Sequence, residues 1–312
     1  MNKNILITGG AGYIGSVFLP HLLDEGYNVT VLDNFMYRQS SLLAICHHKN
    51  LHIVVGDVRD EALLKNEVEK NDFIIPLAAI VGAPACNKDE QLAKDVNQTH
   101  IEMIGRLVSL NQAIIFPVTN SGYGIGQKGV LCDENTPLNP ISHYGKTKVD
   151  AEKSLLEMGN VVSFRLATVF GCSPRMRMDL LVNDFVYRAF EDRFIVLFES
   201  HFKRNYIHIR DVSSVFLHAL KNYDQLKGHA YNVGLSDANL TKMELCERIK
   251  LKLPDFHIFE SDLAQDPDKR DYIVSNEKIE STGWKPQFNI DDGIIELIKA
   301  YSYLKVNPYN NL

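Results

Sequence analysis

NILITGGAGYIG, residues 4 to 15, decides the reading of this chain. The run Asn4 to Thr8 is short and apolar, as a buried strand is, and Gly9, Gly12 and Gly15 then fall at positions 1, 4 and 7 of a turn that opens a helical pattern. A tight turn, a close approach of backbone to an anion and close helix–strand packing each call for a residue without a side chain. The free amides at the start of the following helix complete a phosphate cradle.

Outward from this turn, VLDNF places Asp33 at the end of a second strand, 18 residues beyond Gly15. A carboxylate there accepts both hydroxyls of an adenosine ribose and repels a 2′-phosphate, and VLDNF holds no basic partner for one. NAD is therefore expected over NADP. Asp57, in GDVRD at the end of a third strand, is a candidate for the adenine amino group, with a helix N-cap as its alternative role.

The first half alternates β-rich runs with helical patterns, the mark of βαβ units wound into a parallel sheet. Strands are expected at Asn4–Thr8, Asn28–Asp33, His52–Val55, Asp72–Leu77, Ala113–Val118 and Val161–Leu166, with helices near 13–25, 60–70, 91–110 and 144–158. The fold class is α/β, a doubly wound parallel sheet of the Rossmann type with a smaller carboxyl-terminal substrate lobe. Residues 1–170 are assigned to the cofactor-binding domain and 171–312 mainly to the substrate lobe, with 205–222 returning to the first domain. In the lobe, Thr241 and Glu244 form a capping box, and Gly283 ends a helix before Trp284.

Composition removes several classes of function. Of 312 residues, 33 are Lys or Arg and 39 Asp or Glu; a net charge of −6 opposes binding to nucleic acid. The longest nearly apolar run, Phe73 to Cys86, is 14 residues with two prolines, short of the roughly 20 that span a bilayer. Glycines interrupt the amino-terminal apolar stretch and no small-residue cleavage site follows, so a cytoplasmic protein is expected. Five single cysteines read as reduced, packed thiols, and no histidine has partners at ligand spacing, so no metal site is expected.

Tyr144 and Lys148 share a helix face, four residues apart. A phenol is a poor base at pH 7, and a neighbouring ammonium together with the positive nicotinamide has the right sign to lower its pKa. Tyr223 with Lys227 and Tyr301 with Lys305 repeat the spacing; what sets Tyr144 apart is Thr119, 25 residues earlier, where the fifth strand ends in TNSGYG. At the carboxyl end of the sheet, Tyr144 would remove a substrate hydroxyl proton, Thr119 would steady the oxygen, and Lys148 would tune the phenol and orient the cofactor.

With Gly-x-x-Gly-x-x-Gly, the acidic end of strand two, LAA at Leu77, Ala78 and Ala79, Thr119 before TyrGly, and Tyr-x-x-x-Lys, the chain resembles the extended short-chain dehydrogenase/reductases. RNYIHIRDV from Arg204, YNVG from Tyr231 and DPDKRDYIVSNEKI before GWKP are similar to those of enzymes acting on nucleotide-diphosphate sugars. The resemblance implies NAD contacts from Gly9, Gly12, Tyr13, Ile14, Gly15, Asp33, Asn34, Asp57, Val58, Leu77, Ala78, Ala79, Tyr144 and Lys148. It also implies a nucleotide-diphosphate sugar as substrate, held by Thr119, Asn183, Arg204 and Arg270, and a homodimer built on segments 91–110 and 144–158.

Departures from the family's patterns narrow the reaction. An Asp-Glu pair usually follows the catalytic Thr in 4,6-dehydratases, whereas Asn120 and Ser121 stand here, and TNSGYG lacks the Cys of GDP-fucose-type epimerase-reductases. What remains is oxidation at carbon 4, as a 4-dehydrogenase or a 4-epimerase. Thr168 replaces the Asn of many epimerases, and Arg175 and Arg177 are either readers of a guanine or enlarged sugar or exposed loop cations. These segments look most similar to the bacterial capsule-pathway enzymes that oxidise GDP-D-glycero-α-D-manno-heptose at carbon 4, which gives the leading expectation; a 4-epimerase is the alternative. From another class, a catalytically silent NAD-sensing regulator would keep the cradle without the chemistry.

Overall fold

The computed structural model of the chain describes residues 3–263 and 270–304. Its strands, in chain order, are β1 (Asn4–Thr8), β2 (Asn28–Asp33), β3 (Leu51–Val55), β4 (Phe73–Pro76), β5 (Ala113–Thr119), β6 (Leu131–Cys132), β7 (Val161–Leu166), β8 (Thr168–Phe170), β9 (Phe194–Leu197), β10 (Lys203–His208), β11 (His229–Val233), β12 (Asn239–Thr241), β13 (His257–Glu260) and β14 (Ile273–Val274). Seven of them form one parallel sheet in the order β11-β7-β5-β4-β1-β2-β3. The doubly wound Rossmann fold expected from the sequence is present. Ile5, Leu6 and Ile7 of β1 are all fully buried, because helices cover both faces of a parallel sheet and leave no strand residue in water.

Strand order reverses beside β1: the chain runs outward through β2 and β3, then returns to place β4 on the other side. The loops at the carboxyl ends of these strands diverge there and leave the crevice in which such sheets bind ligands. The glycine turn leaves β1 at this point, and Asp33, Leu77 and Thr119 end or follow the neighbouring strands.

Two expectations are corrected. The single helix expected over 91–110 is three pieces, Glu90–Lys94, a π-helical turn at Asp95–Thr99 and His100–Leu107, because an i+5 turn inserts a residue that apolar spacing does not register. The return to the sheet does not stop at 222. Helix Ile209–Lys221 packs on helix Gly15–Asp24 through Phe216 and Phe18, ring centroids 5.3 Å apart, and β11 then adds the seventh strand beside β7. β10 lies instead in a three-stranded sheet with β8 and β12. The capping box at Thr241 and Glu244 is formed, and Gly283, at φ +93°, precedes Trp284 in the left-handed conformation that suits glycine.

Candidate active site

A cavity of about 1130 Å³ opens along the carboxyl ends of the central strands. Its cofactor-side wall begins at the glycine turn. Gly9 has φ +68°, and a Cβ there would lie 2.6 Å from the Ala78 backbone; a Cβ on Gly15 would lie 2.3 Å from the Gly10 carbonyl. Only glycine fits either position, so β1, the turn and the LAA segment approach as closely as a dinucleotide cradle requires.

Asp33 is 8 % exposed and ties the turn to β2: Oδ2 accepts from the Ala11 amide at 3.0 Å and Oδ1 from Phe35 at 2.8 Å. Burial raises its pKa above the ordinary value, while these hydrogen bonds and one from Gln39 oppose the rise. Asp57 is held at about 2 by the Arg59 guanidinium, which donates to both carboxylate oxygens at 2.9 and 2.8 Å. It is not the N-cap of the next helix: Asp60 takes that role, accepting from Leu63 N at 3.1 Å. Gly12, Tyr13, Ile14, Asn34, Val58, Leu77, Ala78 and Ala79 also line the cavity. The residues present fit NAD.

Thr119, Tyr144 and Lys148 meet in the same cavity. Thr119 ends β5, where its Oγ1 accepts from the Ser121 amide at 3.1 Å and donates to Ser121 Oγ at 2.8 Å. Tyr144 and Lys148 sit on helix His143–Leu156, started by Ser142, whose Oγ accepts from Gly145 N at 3.1 Å. Burial pushes the Tyr144 phenol up to about 12, and the cations that pull it down are Arg177 and Arg270. Lys148 was expected to do this. It is only 4 % exposed, its Nζ lies 4.2 Å from the centre of the Phe116 ring, and burial lowers its own pKa to about 7 against the pull of Glu152. With its pKa so lowered, Lys148 is partly neutral near pH 7, which limits the charge it offers its neighbour. Of the repeated spacings, Tyr223 and Lys227 lie outside the cavity wall, and Lys305 lies outside the described residues.

On the substrate side, Arg204 and Arg270 both line the cavity. Arg204 is 2 % exposed, its Nη1 donating to the Lys203 carbonyl at 2.9 Å, and Arg270 donates to Ser121 Oγ. Residues 266–269 of the DPDKRDYIVSNEKI segment lie outside the described residues. Asn183 is a correction: it does not line the cavity. Fully buried, it accepts from Gly171 N at 3.1 Å and donates to the Arg177 carbonyl at 2.8 Å and the Tyr13 hydroxyl at 3.3 Å, so its amide is committed to the fold.

Arg175 and Arg177 are not exposed loop cations. Both are buried and line the cavity, Arg177 paired with Asp179 through Nε at 3.2 Å and Nη2 at 2.5 Å. Tyr37, Asp179 and Tyr272 also belong to this wall and were missed. They come from loops or short segments without periodicity, and only the fold brings them in. Among the described residues, no group of three or more His, Cys, Asp or Glu side chains is placed to hold a metal, and no helix is long and apolar enough to cross a membrane.

The chain is 28% identical over 326 residues to the dTDP-D-glucose 4,6-dehydratase of Mus musculus, covering 96% of this chain and 88% of that protein. It is 27% identical to the UDP-glucose 4-epimerase of Lactobacillus helveticus, covering 97% and 98% respectively. Among solved structures, dTDP-glucose 4,6-dehydratase from Bacillus anthracis in complex with NAD superposes with a TM-score of 0.83 at 24% identity, over 97% of each chain. A profile of the NAD dependent epimerase/dehydratase family matches residues 5–234, well over half of the chain, and the protein belongs to that family of extended short-chain dehydrogenase/reductases, enzymes that use NAD on nucleotide sugars.

Proposed function

We infer that the protein oxidises carbon 4 of a nucleotide-diphosphate sugar, with Tyr144 as the base. The observation that carries this is the convergence of Thr119, Tyr144 and Lys148 in one cavity with the glycine turn and Asp33. NAD, when bound, supplies the acceptor for the hydride that leaves carbon 4. Thr119 Oγ1 holds the substrate oxygen beside the phenol, and Tyr144 takes the hydroxyl proton. In the ligand-free protein the phenol stays high although Arg177 and Arg270 already pull it down, and the positive charge of the bound cofactor has the sign to lower it further. Arg204 and Arg270 offer forked guanidinium groups to the diphosphate. Elimination of water is disfavoured, because Asn120 and Ser121 follow Thr119 where an acid and a base would be needed, and the Asn120 side chain is buried outside the cavity wall.

GDP-D-glycero-α-D-manno-heptose is the proposed substrate, on the sequence resemblance of segment 165–185 and the two arginines that it brings into the cavity. The second reading, a 4-epimerase, is supported by the relatives that carry this name. The regulator reading is set aside because all three reactive side chains reach the cavity. A cytosolic homodimer is proposed with either reading, in keeping with five unpaired cysteines. Incubation with GDP-heptose, GDP-mannose and UDP-hexoses, with ketone, inverted sugar and NADH followed by mass spectrometry and absorbance, tests it. Ketone with stoichiometric NADH is expected of the dehydrogenase and inverted sugar without net NADH of the epimerase; absence of either product from every sugar overturns the assignment.

A further inference from the structure

Tyr37, which the proposed chemistry does not use, meets Arg175 in the cavity wall. Tyr37 follows Asp33 on the loop after β2, and Arg175 belongs to the segment after β8; the guanidinium carbon lies 4.7 Å from the centre of the tyrosine ring, and both residues line the cavity. Arg175 is 5 % exposed, with Nη1 donating to the Met176 carbonyl at 2.6 Å. Its segment is stitched to the phosphate cradle. Ser173 Oγ donates to the Tyr13 carbonyl at 2.8 Å and lies 2.9 Å from Ser16 Oγ, and the Arg175 amide donates to Ser16 Oγ at 3.4 Å. The opposite anchor is held by its backbone: Phe35 and Arg38 flank Tyr37 at φ 51° and 52°, and Ser41 Oγ donates to the Ala11 carbonyl at 2.7 Å. A permanently charged side chain is thus carried on a segment tied to the first turn of the helix that follows the glycine turn, with an aromatic ring on its face in a site shielded from water, where such contacts are strongest.

We propose that Tyr37 and Arg175 form a clasp that closes over the dinucleotide between the ribose carboxylate and the glycine turn, and that this pair sets how long the protein keeps its NAD. The proposal rests on the NAD reading of the cradle. The guanidinium supplies a countercharge for the pyrophosphate, which neutral amides alone do not, and the ring fixes its orientation. Slow exchange suits a reaction in which the hydride taken from carbon 4 returns to that carbon and the proton to the carbon-4 oxygen, so the clasp and the 4-epimerase reading reinforce each other.

The test is the dissociation rate of NAD from the purified full-length protein, by filtration and by displacement followed with labelled NAD. Tyr37→Ala and Arg175→Met are each expected to speed dissociation about tenfold, the scale of a desolvated cation–π contact. The double variant should add little to either single change, and Tyr37→Phe, which keeps the ring, should stay near the parent rate. Circular dichroism and the half-buried position of Tyr37 guard against a folding defect at the more deeply buried Arg175. Unchanged rates, or effects of the two changes that multiply in full, overturn the clasp while leaving NAD binding in place. A parent protein that binds no NAD overturns the cradle reading instead.

Discussion

At the scale of single residues, the site turns on two groups whose ionisation burial has moved in opposite directions. Tyr144 is lifted to about 12, so its phenol is neutral across the working range until charge arrives with the cofactor. Tyr144→Phe should retain NAD, because the cradle is untouched, while carbon-4 oxidation falls by roughly 10²–10⁴-fold. Single-turnover NADH absorbance checks this, and undiminished turnover removes the base from the mechanism. Lys148, lowered to about 7 by burial, links the site to stability. Between pH 7 and 10.5 the unfolded chain holds a proton that the folded chain has released, so this residue makes the folded state more stable as pH rises. Above about 9 the buried thiols act the other way, since Cys86 is pushed up to about 11 and Cys172 and Cys246 to about 12. The clean window is therefore pH 7 to 9. There urea midpoints should climb more steeply for the parent than for Lys148→Met, and equal slopes would contradict a desolvated ammonium. Spacing in the sequence pointed to Tyr144 and Lys148, but not to the depth at which Lys148 is buried or to Arg177 and Arg270 as cations acting on the phenol, which only the folded chain brings together.

At the scale of elements, the strand ends were legible because a parallel strand is a short apolar run bounded by turn residues; β1, β2 and β7 lie where the residues placed them. β11 was not legible. It is a five-residue edge strand reached only after a long excursion through the second lobe and the helices Ile209–Lys221 and Tyr223–Leu226. Helix His143–Leu156 shows what holds a catalytic element in register. One turn beyond Lys148, Glu152 is 1 % exposed and accepts from Arg165 Nε at 3.1 Å and from Ser163 Oγ at 2.5 Å, both on β7. Arg165 also donates to the Tyr123 hydroxyl at 3.2 Å and the Glu134 carbonyl at 3.1 Å. Removing one partner of such a pair leaves a buried charge unpaired, so Glu152→Gln should cost about 3–5 kcal/mol in urea unfolding. It should also lower the Lys148 pKa further, because Glu152 is the group that holds it up. An unchanged unfolding midpoint would mean that water reaches this pair.

At the scale of the whole molecule, the cofactor cradle and the carboxyl-terminal segment share buried polar groups as well as apolar surface. The Tyr13 hydroxyl, in the glycine turn, donates to the Gly171 carbonyl at 2.6 Å; Asn183 donates to that hydroxyl, and the Tyr301 hydroxyl donates to the Asn183 carbonyl at 2.9 Å. This chain runs from the phosphate cradle to the last helix, Ile290–Tyr301, and every link is buried. Sequence reading gave Asn183 to the substrate because it stands in the segment that shapes the pocket, and its actual place explains why the two regions cannot separate cheaply: parting them strips partners from several buried groups, each costing about 1–3 kcal/mol. The consequence is cooperative unfolding. Calorimetry should show one thermal transition, and NAD at a hundred times its dissociation constant should stabilise the whole of it by about 2.7 kcal/mol, as expected when a ligand binds only the folded form. Two resolved transitions, with only one responding to NAD, would show that the cradle and the carboxyl-terminal lobe melt independently and that the Tyr13–Asn183–Tyr301 chain does not join them.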